Sequence, residues 1–374
     1  MASFAKTFSP RAMRWLPVSL LCAGFTFACS ADGQGPASTA PGNREFTAAP
    51  KPGDSTKGTA SQKRVVGYVQ TFRLQSGRSF DLSTLTHLNL AFANPIPGTE
   101  TIDFPVADRA GVTRLVESAK NQGVKVFAAI GGYGSTAGPA VSKDVSGFVD
   151  EVFELVTRYG FDGVDIDIEG TDIDPEAFPR LLEQLAAQRP QGLELSAAVS
   201  NWERQRYGAL DKPDFLNVMS YDQCAQWSGP CEQSTLSAAK ADLEYWSTVT
   251  SPSQVVLGMP FYGRCWGDAC HRGLDCSVED NVKTCKEVVD YGYFEILASS
   301  FASTSTCQPD VLEGDKYYIS LNGPVTLASK VGLSKNYGGV MIWELGHDTS
   351  DGYLLSVVRN ALNGTEPQCD ARTD

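Results

Sequence analysis

The chain has 374 residues, 42% hydrophobic and 20% charged, with a net charge of -13 at pH 7. Length and apolar content are sufficient for a globular domain with a sizeable core. The acidic balance argues against nucleic acid and against an anionic membrane surface as partners, and is indifferent to a neutral polymer.

Lys6, Arg11 and Arg14 precede an apolar run from Trp15 to Ala28. That run is shorter than the ~20 residues a membrane-spanning helix needs. Residues 1–28 read instead as a bacterial-type secretory signal, so export is expected. Ala28-Cys29-Ser30 also matches the end of a lipoprotein processing site with Cys29 lipidated, although Thr26 stands where Leu is usual. Plain secretion and a lipid anchor through Cys29, the one membrane attachment considered, both stay open. Residues 29–62 are rich in Gly, Pro, Ser, Thr and Ala without apolar periodicity, which is the composition of a flexible linker.

From Arg64 the pattern alternates between strands and helices. Apolar, β-branched-rich runs fall at Arg64–Val69, Leu85–Ala91, Val124–Ile130, Gly163–Ile168, Glu194–Val199, Phe215–Ser220, Val255–Met259 and Gly339–Ile342. Helical spacing appears between most of them. Val112, Leu115, Val116 and Ala119 lead to a stop at Gly123. Phe148, Val149, Val152, Phe153 and Val156 lead to Gly160. Phe178, Leu181, Leu182 and Leu185 follow a start at Asp174-Pro175. Eight strands with intervening helices predict a (β/α)8 TIM barrel over residues 63–365. A doubly wound open sheet is disfavoured, because no Gly-rich phosphate loop follows the first strand. Residues 265–335 are too many for one crossover helix and predict a small α+β insertion between strands seven and eight; residues 366–374 form a tail.

The fourth run carries the most information. Asp162, Asp165, Asp167 and Glu169 are interleaved with Val164, Ile166 and Ile168. Strand side chains alternate faces, so Asp165, Asp167 and Glu169 share one face and the three aliphatic residues the other. Like charges two residues apart raise at least one carboxyl pKa, an arrangement better explained by chemistry than by stability.

Cysteine usage fits export. Outside the signal region stand Cys224, Cys231, Cys265, Cys270, Cys276, Cys285, Cys307 and Cys369. An even number in an exported chain points to disulfides. Cys224 with Cys231, Cys265 with Cys270 and Cys276 with Cys285 are local pairs, which leaves Cys307 for Cys369; sequence does not fix the connectivity. A metal site at Cys270-His271 is the weaker alternative, since no CxxC pair is present.

The spacing DxxDxDxE from Asp162 to Glu169, with Gly163 after the first acid, resembles the signature of the family 18 glycoside hydrolases, the chitinase family. The resemblance extends along the barrel. Ala129-Ile130-Gly131-Gly132 is similar to the family's SxGG motif, with Ala129 in place of Ser. Met219-Ser220-Tyr221-Asp222 matches its MxYD motif, followed by Trp227. Gly258 to Arg264 resembles its P-x-YGR stretch, and Trp343 stands where the family has a pocket-floor tryptophan. Tyr291 to Ile296 is similar to part of the insertion found in one chitinase subfamily.

The resemblance implies a mechanism. Glu169 donates a proton to the glycosidic oxygen, and the substrate's N-acetyl oxygen attacks the anomeric carbon. Asp167 and Tyr221 orient the acetamido group, and Asp165 supports Asp167, sharing a proton with it. Glu169 then acts as base on a water. Crowded carboxylates are expected to keep Glu169 protonated. Substrate contacts are implied at Tyr68, Phe92, Gly132, Met219, Asp222, Tyr262, Arg264 and Trp343. The expected substrate is a β-1,4-linked N-acetylglucosamine polymer, chitin or its oligosaccharides, acted on by a monomer without metal or cofactor. An endo-β-N-acetylglucosaminidase on N-glycans is the rival within the same chemistry. A non-catalytic chitin-binding lectin is disfavoured, because Glu169 is kept. Asp222 is the only other acid at a strand end near the site that the sequence brings to notice.

Overall fold

The computed structural model describes residues 63–369 except 209, 226–227, 271–275, 280–281, 286–287 and 306. The expected signal and linker, Cys29, Trp227 and His271 lie outside the described residues. The first strands are β1 (Arg64–Gln70), β2 (His87–Pro95), the short β3 (Ile102–Asp103), β4 (Lys125–Gly131), β5 (Gly163–Asp167), β6 (Glu194–Val199), β7 (Phe215–Val218) and β8 (Val255–Pro260). An antiparallel set follows: β9 (Tyr262–Trp266), β10 (Cys276–Glu279), β11 (Val282–Cys285), β12 (Val288–Gly292), β13 (Val311–Gly314) and β14 (Tyr317–Ser320). The last strand is β15 (Gly339–Trp343). The main sheet runs β1-β15-β8-β7-β6-β5-β4-β2-β3, and β1 also pairs with β2, so the parallel strands close on themselves. Strand β3 is antiparallel to β2 and stands outside the closure. The fold is therefore a (β/α)8 barrel.

The helices are α1 (Arg109–Asn121), α2 (Ala137–Lys143), α3 (Val145–Tyr159), α4 (Ala177–Gln188), α5 (Leu236–Trp246), α6 (Tyr293–Leu297), α7 (Pro324–Ser334) and α8 (Tyr353–Leu362). Helix α3 shows how local sequence sets these elements. Asp144 caps its start by accepting from the Gly147 N–H at 3.1 Å, and Gly160 ends it at φ 69° in the left-handed region that glycine tolerates. Its Phe148, Val149, Val152 and Val156 are buried against the barrel.

Alternation along β5 sorts its side chains into two layers. Val164, Ile166 and Ile168 join the large core between strands and helices. Truncating Ile166 there to Ala is expected to cost ~2–5 kcal/mol. Asp165 and Asp167 point the other way and are buried as well. The barrel interior is lined by Val66, Tyr68, Phe127, Phe215, Val256 and Met341. Burying the acidic face among seven other strands costs desolvation, and the hydrogen bonds that Asp165 accepts offset part of that cost.

The insertion differs in its bounds from the expected 265–335. Its sheet, ordered β12-β9-β14-β13, begins at Tyr262 and runs to Ser320. Helix α7 packs on α8, α5 and β8 and is the crossover helix of the barrel itself. The chain turns from the barrel into the insertion at Phe261, one residue after β8, so Tyr262 and Arg264 belong to both. Disulfides join Cys224 to Cys231, Cys265 to Cys270 and Cys307 to Cys369. Cys276 stands opposite Cys285 in the β10–β11 ladder; their side chains lie outside the described ones.

Candidate active site

The site lies at the C-terminal ends of the parallel strands, where barrel enzymes carry their chemistry. Its base is Asp165, sealed in the barrel interior. Asp165 accepts from Tyr68 Oη at 2.5 Å, Ser196 Oγ at 2.6 Å and Asn217 Nδ2 at 3.0 Å. Burial raises its pKa, and these three hydrogen bonds oppose the rise. Tyr68 is thus a support of Asp165, 1% exposed, and has no face toward a ligand. Above it, Asp167 is 3% exposed, and its Oδ1 has no hydrogen-bond partner among the described residues. Burial first, then the charges of Glu169 and Asp165, push Asp167 well above the usual carboxylate range.

The close approach of β4 and β5 depends on two glycines. The Gly132 N–H donates to the Asp167 carbonyl at 2.7 Å. Gly131 has φ 117°, and a Cβ there would lie 2.1 Å from the same carbonyl oxygen, so any side chain at 131 would push β5 away. Ala129, where the related motif has Ser, is buried in the barrel interior.

Glu169 stands just past β5 on the floor of a cleft of about 760 Å³ lined also by Tyr133, Trp202, Glu203, Met219, Tyr221 and Asp222. Its pKa is pushed up to about 8, by burial first, then by the charges of Glu203 and Asp222, against a hydrogen bond from the Tyr133 N–H. Crowding on the strand acts as expected, since the Glu169 and Asp165 charges raise Asp167, but it is not the whole cause for Glu169. Desolvation comes first, and the largest like charge comes from another strand's loop. Glu169 is thus protonated near neutral pH, as a general acid must be. Tyr221 is 7% exposed; burial and the Asp167 charge hold its hydroxyl well above its ordinary pKa, so it is a neutral O–H donor.

Asp222 has φ 59°, a left-handed backbone unusual for a non-glycine residue. Tyr262 Oη donates to its carboxylate, and Arg264 Nη2 pairs with it at 2.8 Å. Arg264 also pairs with Asp290 at 2.9 Å and donates to the Cys224 carbonyl at 3.1 Å. Tyr262 and Arg264, expected to touch substrate, act here as the clamp on Asp222. Phe92 and Trp343 stack at 5.6 Å, and Trp343 lies 5.4 Å from the Tyr68 ring, which places both aromatics beside the carboxylate column. Trp343 is followed by Glu344, buried and holding the Gln70 N–H at 3.0 Å and the Arg73 guanidinium. Glu344 is an acidic strand end committed to structure.

Three lining residues escaped the sequence reading: Tyr133, Trp202 and Glu203. Tyr133 and Trp202 are 82% and 66% exposed, a poor position for aromatics unless they meet a ligand face. Each follows a strand end, Tyr133 directly after Gly131-Gly132 and Trp202-Glu203 after β6. The rule that barrel function sits past strand C-termini was the available signal. Glu203 also corrects the view that Asp222 is the only nearby second acid.

The match to known proteins is decisive. Residues 64–348 fit the family model of Glycosyl hydrolases family 18. The chain belongs to that family. Among family 18 relatives, Chitinase 63 of Streptomyces plicatus is 25% identical over 74% of this chain and 56% of its own length. Nod factor hydrolase protein 1 of Medicago truncatula is 27% identical over 73% of this chain and 83% of its own length. A Drosophila melanogaster relative, 30% identical over 185 residues, is matched over 8% of its length. The chain thus spans only about half of the Streptomyces relative's length and a small part of the Drosophila one. The crystal structure of the GH18 chitinase ChiB from the chitin utilization locus of Flavobacterium johnsoniae superposes with a TM-score of 0.64 at 26% identity, covering 80% of this chain and 93% of that one. Residues 64–348 are therefore a glycosyl hydrolase family 18 domain.

Proposed function

We propose that this glycosidase hydrolyses β-1,4-linked N-acetylglucosamine chains, chitin or its oligosaccharides, with retention of configuration and with the substrate's own acetamido group as nucleophile. The observation that carries the reading is the column Asp165–Asp167–Glu169 under one cleft, with Tyr221 beside it. Glu169 is a proton donor at neutral pH. Asp167 has a buried oxygen with no partner among the described residues, suited to accept the N–H of an acetamido group. The Tyr221 hydroxyl is suited to donate to the acetamido oxygen. Most retaining glycosidases use two carboxyls ~5 Å apart across the bond, whereas family 18 is among the substrate-assisted exceptions. Export is part of the same reading, supported by residues 1–28 and by disulfides, which persist in oxidising compartments. The relatives named as chitinases support the substrate class.

Glu203 supplies a specific reason for a second reading, in which it is the carboxylate nucleophile of a two-carboxylate mechanism. Chitohexaose, its fully de-N-acetylated counterpart, cellohexaose and an N-glycoprotein, compared side by side by mass spectrometry and early-time proton NMR, separate the two. The proposal expects cleavage of the N-acetylated polymer alone among the three oligosaccharides, with the β anomer first. An initial α product, or comparable cleavage of cellohexaose, refutes it. Preferential release from the glycoprotein reassigns the substrate to N-glycans.

A further inference from the structure

One buried acid has no part in the chemistry above and yet joins two walls of the cleft. Asp242 lies on α5 and is 7% exposed. Its Oδ2 accepts from Ser220 Oγ at 2.5 Å, and its Oδ1 accepts from Asn201 Nδ2. Ser220 immediately precedes Tyr221, and Asn201 immediately precedes Trp202 and Glu203. The Ser220 carbonyl is held as well, accepting from Ser234 Oγ at 2.6 Å. Ser234 Oγ accepts in turn from Lys330 Nζ at 2.6 Å, and Lys330 also donates to the Ser234 carbonyl at 2.8 Å and to Asn322 Oδ1 at 2.6 Å. Lys330 is 0% exposed. The network thus runs from α7 through α5 to two separate strand ends, those of β6 and β7, without reaching a reacting atom.

Helix α5 contacts the β7 and β8 strands from outside the barrel, and Asp242 lines a cavity of about 560 Å³ beside the cleft with Asn201, Trp202, Glu203, Met219 and Tyr221; both of its oxygens are engaged by the groups it grips. We infer that Asp242 is a positioning residue: through Asn201 it sets the wall that carries Trp202 and Glu203, and through Ser220 it sets the Tyr221 hydroxyl against the carboxylate column. Its two oxygens serve different functions. One branch governs substrate seating, the other the catalytic step, so the two are separable in kinetics. The assignment of Tyr221 to the reaction is that of the preceding section, on which this inference rests.

The test is steady-state kinetics on chitohexaose with Asn201→Ala, Ser220→Ala, Asp242→Ala, Asp242→Asn and the Asn201→Ala/Asp242→Ala double variant. Hydrogen exchange over residues 200–207 and 219–222 is measured in parallel. Asn201→Ala is expected to raise KM about tenfold with kcat within about twofold. Ser220→Ala is expected to lower kcat about tenfold with little change in KM. Both lie inside the ~10²-fold that a displaced catalytic geometry costs. Asp242→Ala shows both effects, and the double variant has the KM of Asp242→Ala because the branch is already cut. Asp242→Asn, whose amide oxygen still accepts from Asn201, recovers the KM. Exchange rises at 200–207 in Asn201→Ala and at 219–222 in Ser220→Ala. Activity falling only in step with the folded fraction, with KM and kcat unsplit and exchange unchanged at both segments, overturns the inference. If the wild type leaves chitohexaose intact, the substrate reading fails, and the exchange pattern alone decides whether Asp242 positions the two segments.

Discussion

Glu203→Gln removes the largest like charge acting on the proton donor while keeping the shape of the side chain. With Glu203 in place the Glu169 carboxyl is pushed up to about 8, against ~4.3 for an unperturbed Glu. At ~1.36 kcal/mol for each tenfold change in protonation, the site favours the protonated form by up to about 5 kcal/mol. Burial supplies the larger part, and Glu203 ranks second among the causes. A charge adjoining a carboxyl shifts it by roughly one to three pH units when the charge is opposite; the like charge of Glu203 acts with the reverse sign, and because Glu203 is only half-buried about one unit is expected. The sign follows from the role. A general acid is active when protonated, so activity falls as pH rises through the Glu169 pKa; lowering that pKa moves the alkaline limb toward acid. The assay is kcat/KM on a chromogenic chitooligosaccharide from pH 4 to pH 10. The expected result is an alkaline limb near pH 8 in the wild type and near pH 7 in Glu203→Gln, with the plateau rate within about threefold. An unmoved limb refutes the electrostatic argument. Loss of activity at every pH, rescued by azide with inverted product, makes Glu203 the nucleophile instead.

Glu169→Gln is expected to lower turnover on an unactivated chitooligosaccharide by ~10²–10⁴ or more with binding retained by calorimetry; a variant keeping a tenth of the wild-type rate removes Glu169 from the acid role. The same variant reports on stability. A carboxyl raised in the folded state stabilises the fold below its unfolded pKa of ~4.3 and loses that contribution as pH rises through its folded pKa of about 8. The Tm of Glu169→Gln relative to wild type therefore climbs between pH 5 and pH 8 and is flat below pH 4; a pH-independent difference contradicts the assignment. Arg264→Met removes the guanidinium that pairs with Asp222 and Asp290, whose side chains are 40% and 50% exposed, so the ~3–5 kcal/mol of a fully buried pair is an upper bound on the loss in urea unfolding; a loss below about 0.5 kcal/mol shows that Arg264 does not clamp the loop. Replacing Cys307 and Cys369 together by Ser opens a loop with sequence separation 62. Chain entropy sets an upper bound of ~4 kcal/mol on the loss, and thiol titration of the denatured, unreduced exported protein is expected to find no free thiol among the eight cysteines outside the signal region, two or more reactive thiols contradicting it.

Much of this protein is legible in order along the chain. Period-two alternation in Val164–Glu169 assigns each residue to a layer before any partner is known, because a strand has only two faces. Eight apolar runs separated by helical spacing leave few architectures, and β1, β2, β4 to β8 and β15 begin and end within a few residues of those runs. The local cysteine pairs are also near in sequence, and two of them, Cys224 with Cys231 and Cys265 with Cys270, form disulfides. What the sequence left open depends on distance in space. Tyr68 and Asp165 are 97 residues apart, and only barrel closure turns an expected sugar contact into a buried support for a carboxyl. Arg264 and Tyr262 follow a family-like stretch, but whether they face a ligand or Asp222 is decided by the insertion sheet that starts at Tyr262. The proton affinity of Glu169 is likewise a tertiary property: burial and a charge from the β6 loop set it, and neither is encoded in the spacing of the four acids. Local order follows from periodicity and turn chemistry, which neighbouring residues settle among themselves. Desolvation and long-range charge exist only once the strands have closed, and they convert an acidic strand into a site.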